Sequence, residues 1–204
     1  MDPVHALPLN LPVPADDGAC DHLPGSRVPS VRLASTAGGW VDVAEIAAPP
    51  TVLFFYPRTG EPDRPAGPAW DAIPGARGCT PQSCGFRDLH REFVSLGVAV
   101  HGVSTQDSAY QRAFVERNHV PFEMLSDRDL ALTRALGLPT FEYPVDGGAP
   151  TTLIKRMAWF VDRGRIERIW YPVFPPDRNA ETVMGWLRER ARLLTVDRGR
   201  MRLA

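Results

Sequence analysis

The chain reads TVLFFYP at residues 51–57 and GCTPQSCGFRD at residues 78–88, and these two stretches determine the fold. The first is a continuous apolar run that ends at Pro57, a pattern typical of a strand buried on both faces. The second begins a helical pattern in which apolar residues recur at spacings of three and four. We therefore predict a buried strand, a loop and then a helix that starts at Cys79.

Strands and helices alternate along the rest of the chain. Before the apolar run, we predict a hairpin with a Gly-Gly turn over 31–45. After Cys79, we predict a strand over 97–104, a helix over 107–118 capped by Asp107 or Ser108, a short strand in FEMLSD and a helix ended by Gly137. Two strands around an Asp-Arg-Gly-Arg turn follow over 156–173, and a last helix follows over 177–194. This order predicts an α/β fold with a central sheet and helices on both faces.

Proline and glycine are concentrated in two parts of the chain. We predict an extended N-terminal arm over 1–26, one domain over 27–195 and a C-terminal tail over 196–204. Within the domain, residues 58–78 form a long Pro/Gly loop, and such loops usually serve function. Trp70 inside it is expected either to anchor the loop over the active site or to be buried at a subunit contact.

Composition excludes several classes of function. The 204 residues carry a formal net charge of −1, so nothing global indicates nucleic acid or an anionic membrane as a partner. No secretory signal and no apolar run long enough to cross a membrane is found, and we expect a cytoplasmic protein. With three cysteines in such a chain, thiols are reduced by default and a disulfide is transient.

Cys79 is the candidate nucleophile. A thiol in the first turn of a helix meets free N–H groups and the positive end of the helix dipole, and both favour the thiolate form. Pro81 supports a helix start at this point, and Arg77 adds positive charge two residues before the sulfur.

Cys84 follows five residues later, about 140° around the helix and roughly 7.5 Å along its axis. That separation exceeds the usual Cα distance of a disulfide, about 4.4–6.8 Å. A bridge between Cys79 and Cys84 therefore requires the first helical turn to unwind, and Gly85 lowers helix propensity there.

Other interpretations of the cysteine pair remain open at this point. The two thiols fit buried structural cysteines, or half of a zinc site, although no second Cys pair or His-x₃₋₅-His motif accompanies them. His90 and His101 are isolated in the sequence. The absence of Cys-x-x-Cys argues against a plain thioredoxin-type oxidoreductase.

The cysteine segment resembles the peroxiredoxins of the AhpC/TSA class, in particular the bacterioferritin-comigratory-protein (PrxQ) subgroup, with an insertion before the first Cys. The resemblance covers about residues 27–190, because LSDRDLALTRALG and RMAWFVDRGRIERIW also match family segments. It implies a thioredoxin-like fold. The matching residues of the cysteine motif are Gly78, Cys79, Thr80, Cys84, Phe86, Arg87 and Asp88.

The resemblance also implies roles for individual residues. Cys79 is then the peroxidatic cysteine, Cys84 the resolving one, and Arg156 the donor to the thiolate and the peroxide. The family's loop proline and hydroxyl residue would fall on two alanines, Ala72 and Ala76, because of the insertion. We therefore assign the shielding role to Pro57 and the peroxide-orienting hydroxyl to Thr59.

The implied activity is reduction of hydrogen peroxide and organic hydroperoxides, with thioredoxin or a similar dithiol as reductant and without a metal or organic cofactor. The protein is expected to be a monomer or homodimer. Two alternatives use the same thiols: a non-enzymatic redox sensor or partner-binding protein, and a metal or copper chaperone. Cys20 is interpreted as an incidental thiol rather than a second resolving cysteine, and Pro139 as an ordinary loop proline.

Overall fold

The computed structural model describes residues 7, 8, 10–61, 67–144 and 150–201, with side chains as far as residue 194. Its strands are β1 (Arg32–Ser35), β2 (Trp40–Asp42), β3 (Thr51–Phe55), β4 (Ala99–Ser104), β5 (Met124–Ser126), β6 (Thr140–Tyr143), β7 (Thr151–Ile154), β8 (Met157–Asp162) and β9 (Arg165–Trp170). Its α-helices are α1 (Val43–Ile46), α2 (Pro68–Asp71), α3 (Cys79–Asp88), α4 (His90–Ser95), α5 (Ser108–Asn118), α6 (Ala131–Leu136) and α7 (Asn179–Met201), the last preceded by a 3₁₀ turn (Pro176–Arg178).

Seven strands form one mixed sheet in the order β2-β1-β5-β4-β3-β8-β9. Strands β3, β4 and β5 run parallel, while β8 pairs antiparallel with β3, and β1 antiparallel with β5. The predicted α/β architecture is confirmed. Strand β3 lies between β4 and β8 inside this sheet, which explains why its sequence is a continuous apolar run rather than an alternating one.

The side chains of β3 and its flanking residue alternate between two cores. Val52, Phe54 and Tyr56 pack with side chains from α3, α4, α5 and α7. Leu53 and Phe55 point to the opposite face, where α1 and α6 cover the sheet. Every one of these five side chains is fully buried. Strand β3 thus fixes the point at which the segment that leads to Cys79 begins.

The predicted turns and caps at several elements are confirmed. The β1–β2 hairpin turns at Gly38 and Gly39, both at positive φ. The carboxylate of Asp107 caps α5 by accepting from the backbone N–H of Tyr110 at 2.8 Å. Gly137 ends α6 in the left-handed conformation.

Two predicted helix boundaries need correction. The helix expected to run on from Cys79 is broken at Leu89, whose backbone (φ −93°, ψ 8°) leaves helical geometry while the apolar spacing continues through it. The last helix does not stop at 194 but continues to Met201, so the tail predicted for 196–204 begins inside α7. No proline lies between Asn179 and Met201 to end it.

A second hairpin was not predicted. Strand β6, directly after Pro139, pairs antiparallel with β7, and the prolines on either side of its connection masked the pattern. Residues 145–149 of that connection lie outside the described residues. The base of the hairpin closes where the N–H of Lys155 donates to the carbonyl of Pro139 at 2.8 Å.

The N-terminal arm packs against the domain. Residues 1–6 and 9 lie outside the described residues, but from Asn10 onward the arm is placed. Cys20 and Leu23 are buried in the core on the α1/α6 face of the sheet. The arm then joins the sheet edge through a bridge between Arg27 and Arg165. Around Cys20 and Leu23 the arm forms turns rather than the predicted extended chain, because the N–H of Asp21 donates to the carbonyl of Gly18 and the N–H of Leu23 donates to that of Cys20, each at 3.1 Å.

The sequence predicts an irregular loop over 58–78. The structure differs, because this segment contains α2. Trp70 of this helix is 4% exposed and packs edge-on against Tyr143, with ring centroids 4.9 Å apart. Phe141 and Leu153 of the second hairpin complete this small core. Trp70 thus anchors the loop to β6–β7 within the same chain.

No helix in the described part of the chain combines the length and the apolar character that crossing a membrane requires.

We predict that Trp70→Ala lowers the free energy of unfolding by about 3 kcal/mol, because it removes the central side chain of a buried cluster. Trp40→Ala is the matched control, since Trp40 is 59% exposed, and it should cost less than about 1 kcal/mol. Urea unfolding of both variants measures the difference. Equal losses would contradict the packing described for α2.

Candidate active site

Gly78 sets the entry into α3. It adopts a left-handed backbone (φ 103°, ψ 20°) immediately before the helix and offers no side-chain cap. A Cβ at this position would overlap the ring of Pro176 in the 3₁₀ turn, and a residue with a side chain would also be strained at this φ. The chain therefore needs glycine here, and the N-terminal turn of α3 begins directly at Cys79.

The sulfur of Cys79 is buried and surrounded by hydrogen-bonding groups. Its side chain is 3% exposed. The Nη2 of Arg156 donates to Sγ at 3.2 Å, and the backbone N–H of Arg58 donates at 3.4 Å. As a thiol, Sγ lies 3.5 Å from the carbonyl of Ala76. Two N–H donors, one of them on a charged guanidinium, therefore point at the sulfur.

Arg156 is buried and points its charge at the sulfur. It is 3% exposed, and its other bonds go to neutral acceptors: Nε donates to the carbonyl of Gly75 at 3.2 Å, and Nη2 to the carbonyls of Ala76 and Arg77 at 3.0 and 3.1 Å. Among the residues the structure describes, no carboxylate pairs with this guanidinium. The positive charge of Arg156 is therefore buried beside the sulfur, without a carboxylate partner among those residues.

Gln82 is a residue of the site that sequence reasoning missed. It is fully buried one turn after Cys79, and its Oε1 accepts a hydrogen bond from Nη1 of Arg156. Its Nε2 donates to Oδ1 of Asn179 at the start of α7, at 3.0 Å. The spacing of three residues from Cys79 places Gln82 on the same helical face, and a polar residue at that position was the available signal.

Pro57 and Thr59 lie near the site but differ in what they contact. Pro57 is buried directly before Arg58, whose N–H reaches the sulfur. Thr59 is also buried, and its hydroxyl donates to Oε1 of Gln106 at 3.1 Å. No hydrogen bond within the described residues joins Thr59 to Cys79. The structure therefore brings together Cys79, Arg156 and the Pro57–Arg58 backbone, and it turns the Thr59 hydroxyl toward the loop before α5.

Cys84 lies in the same helix as Cys79, and the structure describes all three cysteines of the chain without a disulfide between them. Ideal helix geometry separates the Cα atoms of Cys79 and Cys84 by about 9 Å, beyond the reach of a disulfide. Cys84 is 7% exposed, and burial raises the pKa of its thiol. In this form of the protein the two thiols cannot bridge unless α3 opens.

Cys20 is remote from this chemistry. It belongs to the core on the α1/α6 face of the sheet, whereas Cys79 belongs to the core on the α3/α7 face. Its Sγ lies 3.9 Å from Sδ of Met157. Burial, followed by the charge of Asp17, raises the pKa of Cys20 to about 12. A protonated thiol inside a core fits the interpretation of Cys20 as incidental to the reaction.

The described residues contain no cluster of three His, Cys, Asp or Glu side chains that would hold a metal ion. His101 on β4 is half-buried, and burial lowers its pKa. His90 packs its ring against Phe122.

Comparison with known proteins agrees with this geometry. The Redoxin family model matches residues 23–184. The chain is 27% identical over 164 residues to the chloroplastic peroxiredoxin Q of Gentiana triflora, which covers 80% of this chain and 65% of that protein. For the chloroplastic peroxiredoxin Q of Triticum aestivum the identity is 27%, over 76% of this chain and 62% of that protein. The matched region thus spans slightly less than two thirds of these relatives.

Solved structures show the same fold. Peroxidoxin BcpB of Mycobacterium tuberculosis superimposes with a TM-score of 0.63 at 24% identity, covering 82% of this chain and 97% of that one. A peroxiredoxin Q of Xanthomonas campestris gives 0.60 at 22% identity, covering 89% and 98%. The predicted thioredoxin-like fold is confirmed.

We predict that iodoacetamide at pH 8 labels Cys20 very slowly in the native, reduced protein. With a pKa of about 12, only about one Cys20 side chain in ten thousand is a thiolate at that pH. Labelling of Cys20 should quicken about tenfold for each pH unit between 7 and 10, as the thiolate fraction rises. Mass mapping of the labelled peptides over time measures these rates.

The control for this labelling experiment is the urea-unfolded protein, where Cys20 regains an ordinary pKa and solvent access. Equal labelling rates of Cys20 in native and unfolded protein would contradict its burial.

Proposed function

Because the chain belongs to the Redoxin family, we propose that it is a thiol-dependent peroxidase, a peroxiredoxin of the PrxQ type. The observation that carries this proposal is the contact between Nη2 of Arg156 and Sγ of Cys79 at 3.2 Å, made by a buried guanidinium that has no carboxylate partner among the described residues. A structural cysteine needs no such charge. A nucleophile that must be a thiolate does.

In the first step, the Cys79 thiolate attacks the terminal oxygen of a hydroperoxide. The S–O bond forms as the O–O bond breaks, leaving a sulfenic acid on Cys79 and releasing water or an alcohol once the departing oxygen takes a proton. Arg156 and the N–H of Arg58 are placed to stabilise the negative charge that moves from sulfur to oxygen. Pro57 shields the sulfur from solvent, and Thr59 stays our candidate for the hydroxyl that orients the peroxide.

In the second step, Cys84 condenses with the sulfenic acid and water leaves as the disulfide forms. Both residues lie in α3, so this step needs the helix to open around Cys79–Cys84. Opening breaks the bonds that Gln82 makes to Arg156 and Asn179. Opening also exposes the Cys84 thiol. In the folded helix, burial raises the pKa of this thiol. A thiolate forms more readily once that burial is lost.

An external dithiol then restores the two thiols by exchange. We propose thioredoxin or a similar dithiol protein for this role. The chain itself acts as a monomer or homodimer in the cytoplasm in this proposal. The reaction uses no metal or organic cofactor, since the two electrons that reduce the peroxide come from the sulfurs of Cys79 and Cys84.

The experiment that tests this function measures peroxide consumption coupled to thioredoxin, thioredoxin reductase and NADPH. We expect Cys79→Ser to abolish turnover, because a hydroxyl cannot replace the thiolate nucleophile. Cys84→Ser should consume about one equivalent of peroxide and then stop, because no disulfide forms for thioredoxin to reduce. Cys20→Ser is the matched control and should retain turnover, since Cys20 lies in the other core.

Wild-type consumption no faster than that of Cys79→Ser would overturn the peroxidase proposal. A wild type that forms the Cys79–Cys84 disulfide but does not turn over with any dithiol would favour the redox-sensor alternative instead.

A further inference from the structure

Beyond the end of β3, the chain runs past the sulfur of Cys79. The N–H of Tyr56 still donates to the carbonyl of Val103 at 3.1 Å, and two residues later the N–H of Arg58 donates to Sγ of Cys79 at 3.4 Å. Residues 56–78 separate β3 from α3, and a loop of that length does little to hold its own ends. The N–H of Arg58 therefore needs an anchor on its far side to stay on the sulfur.

The side chain of Gln106 supplies that anchor. Its Oε1 accepts from the N–H of Thr59 at 2.9 Å, and its Nε2 donates to the carbonyl of Thr59 at 3.2 Å. One amide side chain thus satisfies both backbone groups of the residue after Arg58, as a neighbouring strand would. The same Oε1 accepts from the Thr59 hydroxyl at 3.1 Å.

Gln106 is itself fixed to the sheet. It lies half-buried in the turn between β4 and α5. Its N–H donates to Oγ of Ser104 at 3.3 Å, and its carbonyl accepts from Oγ of Ser126 at 2.7 Å. These two serines are the last residues of β4 and β5. Gln106 therefore ties Thr59 to the ends of two parallel strands.

Helix α5 holds the same part of the loop through two more side chains. The hydroxyl of Tyr110, in the first turn of the helix, donates to the carbonyl of Thr59 at 2.9 Å. Nη2 of Arg117, in the last turn, donates to the carbonyl of Gly60 at 3.2 Å. The N–H of Thr59, by contrast, donates to the side chain of Gln106. Gln106 is therefore the contact that these two side chains cannot replace.

We propose that Gln106 is a positioning residue of the peroxidase, which holds Thr59 so that the N–H of Arg58 points at the sulfur of Cys79. The proposal rests on the peroxidase function above. During the attack, negative charge moves from sulfur to the departing oxygen, and a donor that is already in place stabilises this charge without having to reorganise. The action of Gln106 passes through the backbone of Thr59.

The test compares Gln106→Leu with the wild type in the rate constant for attack of Cys79 on hydrogen peroxide, measured by competition with a haem peroxidase. Leucine has nearly the volume of glutamine but forms no hydrogen bond with Thr59. We expect the attack to slow about tenfold, because a displaced donor stabilises the moving charge less. Disulfide formation after a pulse of peroxide should keep its rate, since opening α3 breaks none of the bonds that Gln106 makes to Thr59.

Gln106→Glu is the rescue variant. A carboxylate still accepts from the N–H of Thr59, and the hydroxyl of Tyr110 still donates to the carbonyl. We expect attack within about threefold of the wild type, although the added negative charge works against it. Arg112→Leu is the matched control and should keep the wild-type rate, because Nε of Arg112, also on α5, donates to the carbonyl of Thr36 in the β1–β2 turn.

An unchanged rate of attack in Gln106→Leu would overturn the proposal. Equal slowing of attack and disulfide formation would also overturn it, because it indicates a general loss of structure, and so would equal slowing in Gln106→Glu or in Arg112→Leu. If Gln106→Leu does not fold, Gln106→Asn carries the same test, since its amide is one methylene short of Thr59. Failure of the proposed function looks different, because the wild type would then consume peroxide no faster than Cys79→Ser.

Discussion

The contact between the guanidinium of Arg156 and the sulfur of Cys79 is the interaction on which the rest of the site depends. Burying an arginine costs several kcal/mol unless its N–H groups find partners and its charge is balanced. Here backbone carbonyls of residues 75–77 and the amide of Gln82 satisfy the N–H groups, and the sulfur is left to balance the charge. The segment before α3, the start of the helix and the start of β8 are all held in place by one side chain.

The same helix that builds the nucleophile keeps the second thiol out of reach. α3 must be folded for Cys79 to lie against Arg156, and in the proposed cycle it must open for Cys84 to reach the sulfenic acid. Gln82 links these requirements, because it ties the helix both to Arg156 and to Asn179 of α7. In the proposed cycle, oxidation converts the Cys79 sulfur to a sulfenic acid, and loss of the sulfur's negative charge weakens its attraction to Arg156. The chemical step thus favours the opening that the next step needs.

Sequence reasoning succeeded where local chemistry is strong. The continuous apolar run of β3 and the helix start at Cys79 follow from short-range patterns. Arg156 was named from the family resemblance; the structure places it beside the sulfur, and its role stays a prediction. Sequence reasoning failed where distant segments decide the outcome. Gln82 was missed because its position depends on a hydrogen bond to Asn179, far along the chain. The β6–β7 hairpin was missed because prolines flank its connection. The packing of Trp70 depends on Tyr143, which lies in that hairpin. The assignment of Thr59 stays a prediction, and the bond from its hydroxyl to Gln106 is a contact that no spacing around Cys79 encodes.

The most direct test of the account is hydrogen–deuterium exchange of the α3 amides in the reduced protein and in the disulfide form. The account predicts that residues 79–88 lose protection on forming the Cys79–Cys84 bond, while β3 and β8 keep theirs. Peroxide-treated Cys84→Ser, which cannot form the bond, should keep α3 more protected than the disulfide form. Equal protection of α3 in the reduced and disulfide forms would contradict the claim that one helix must be folded for attack and open for resolution.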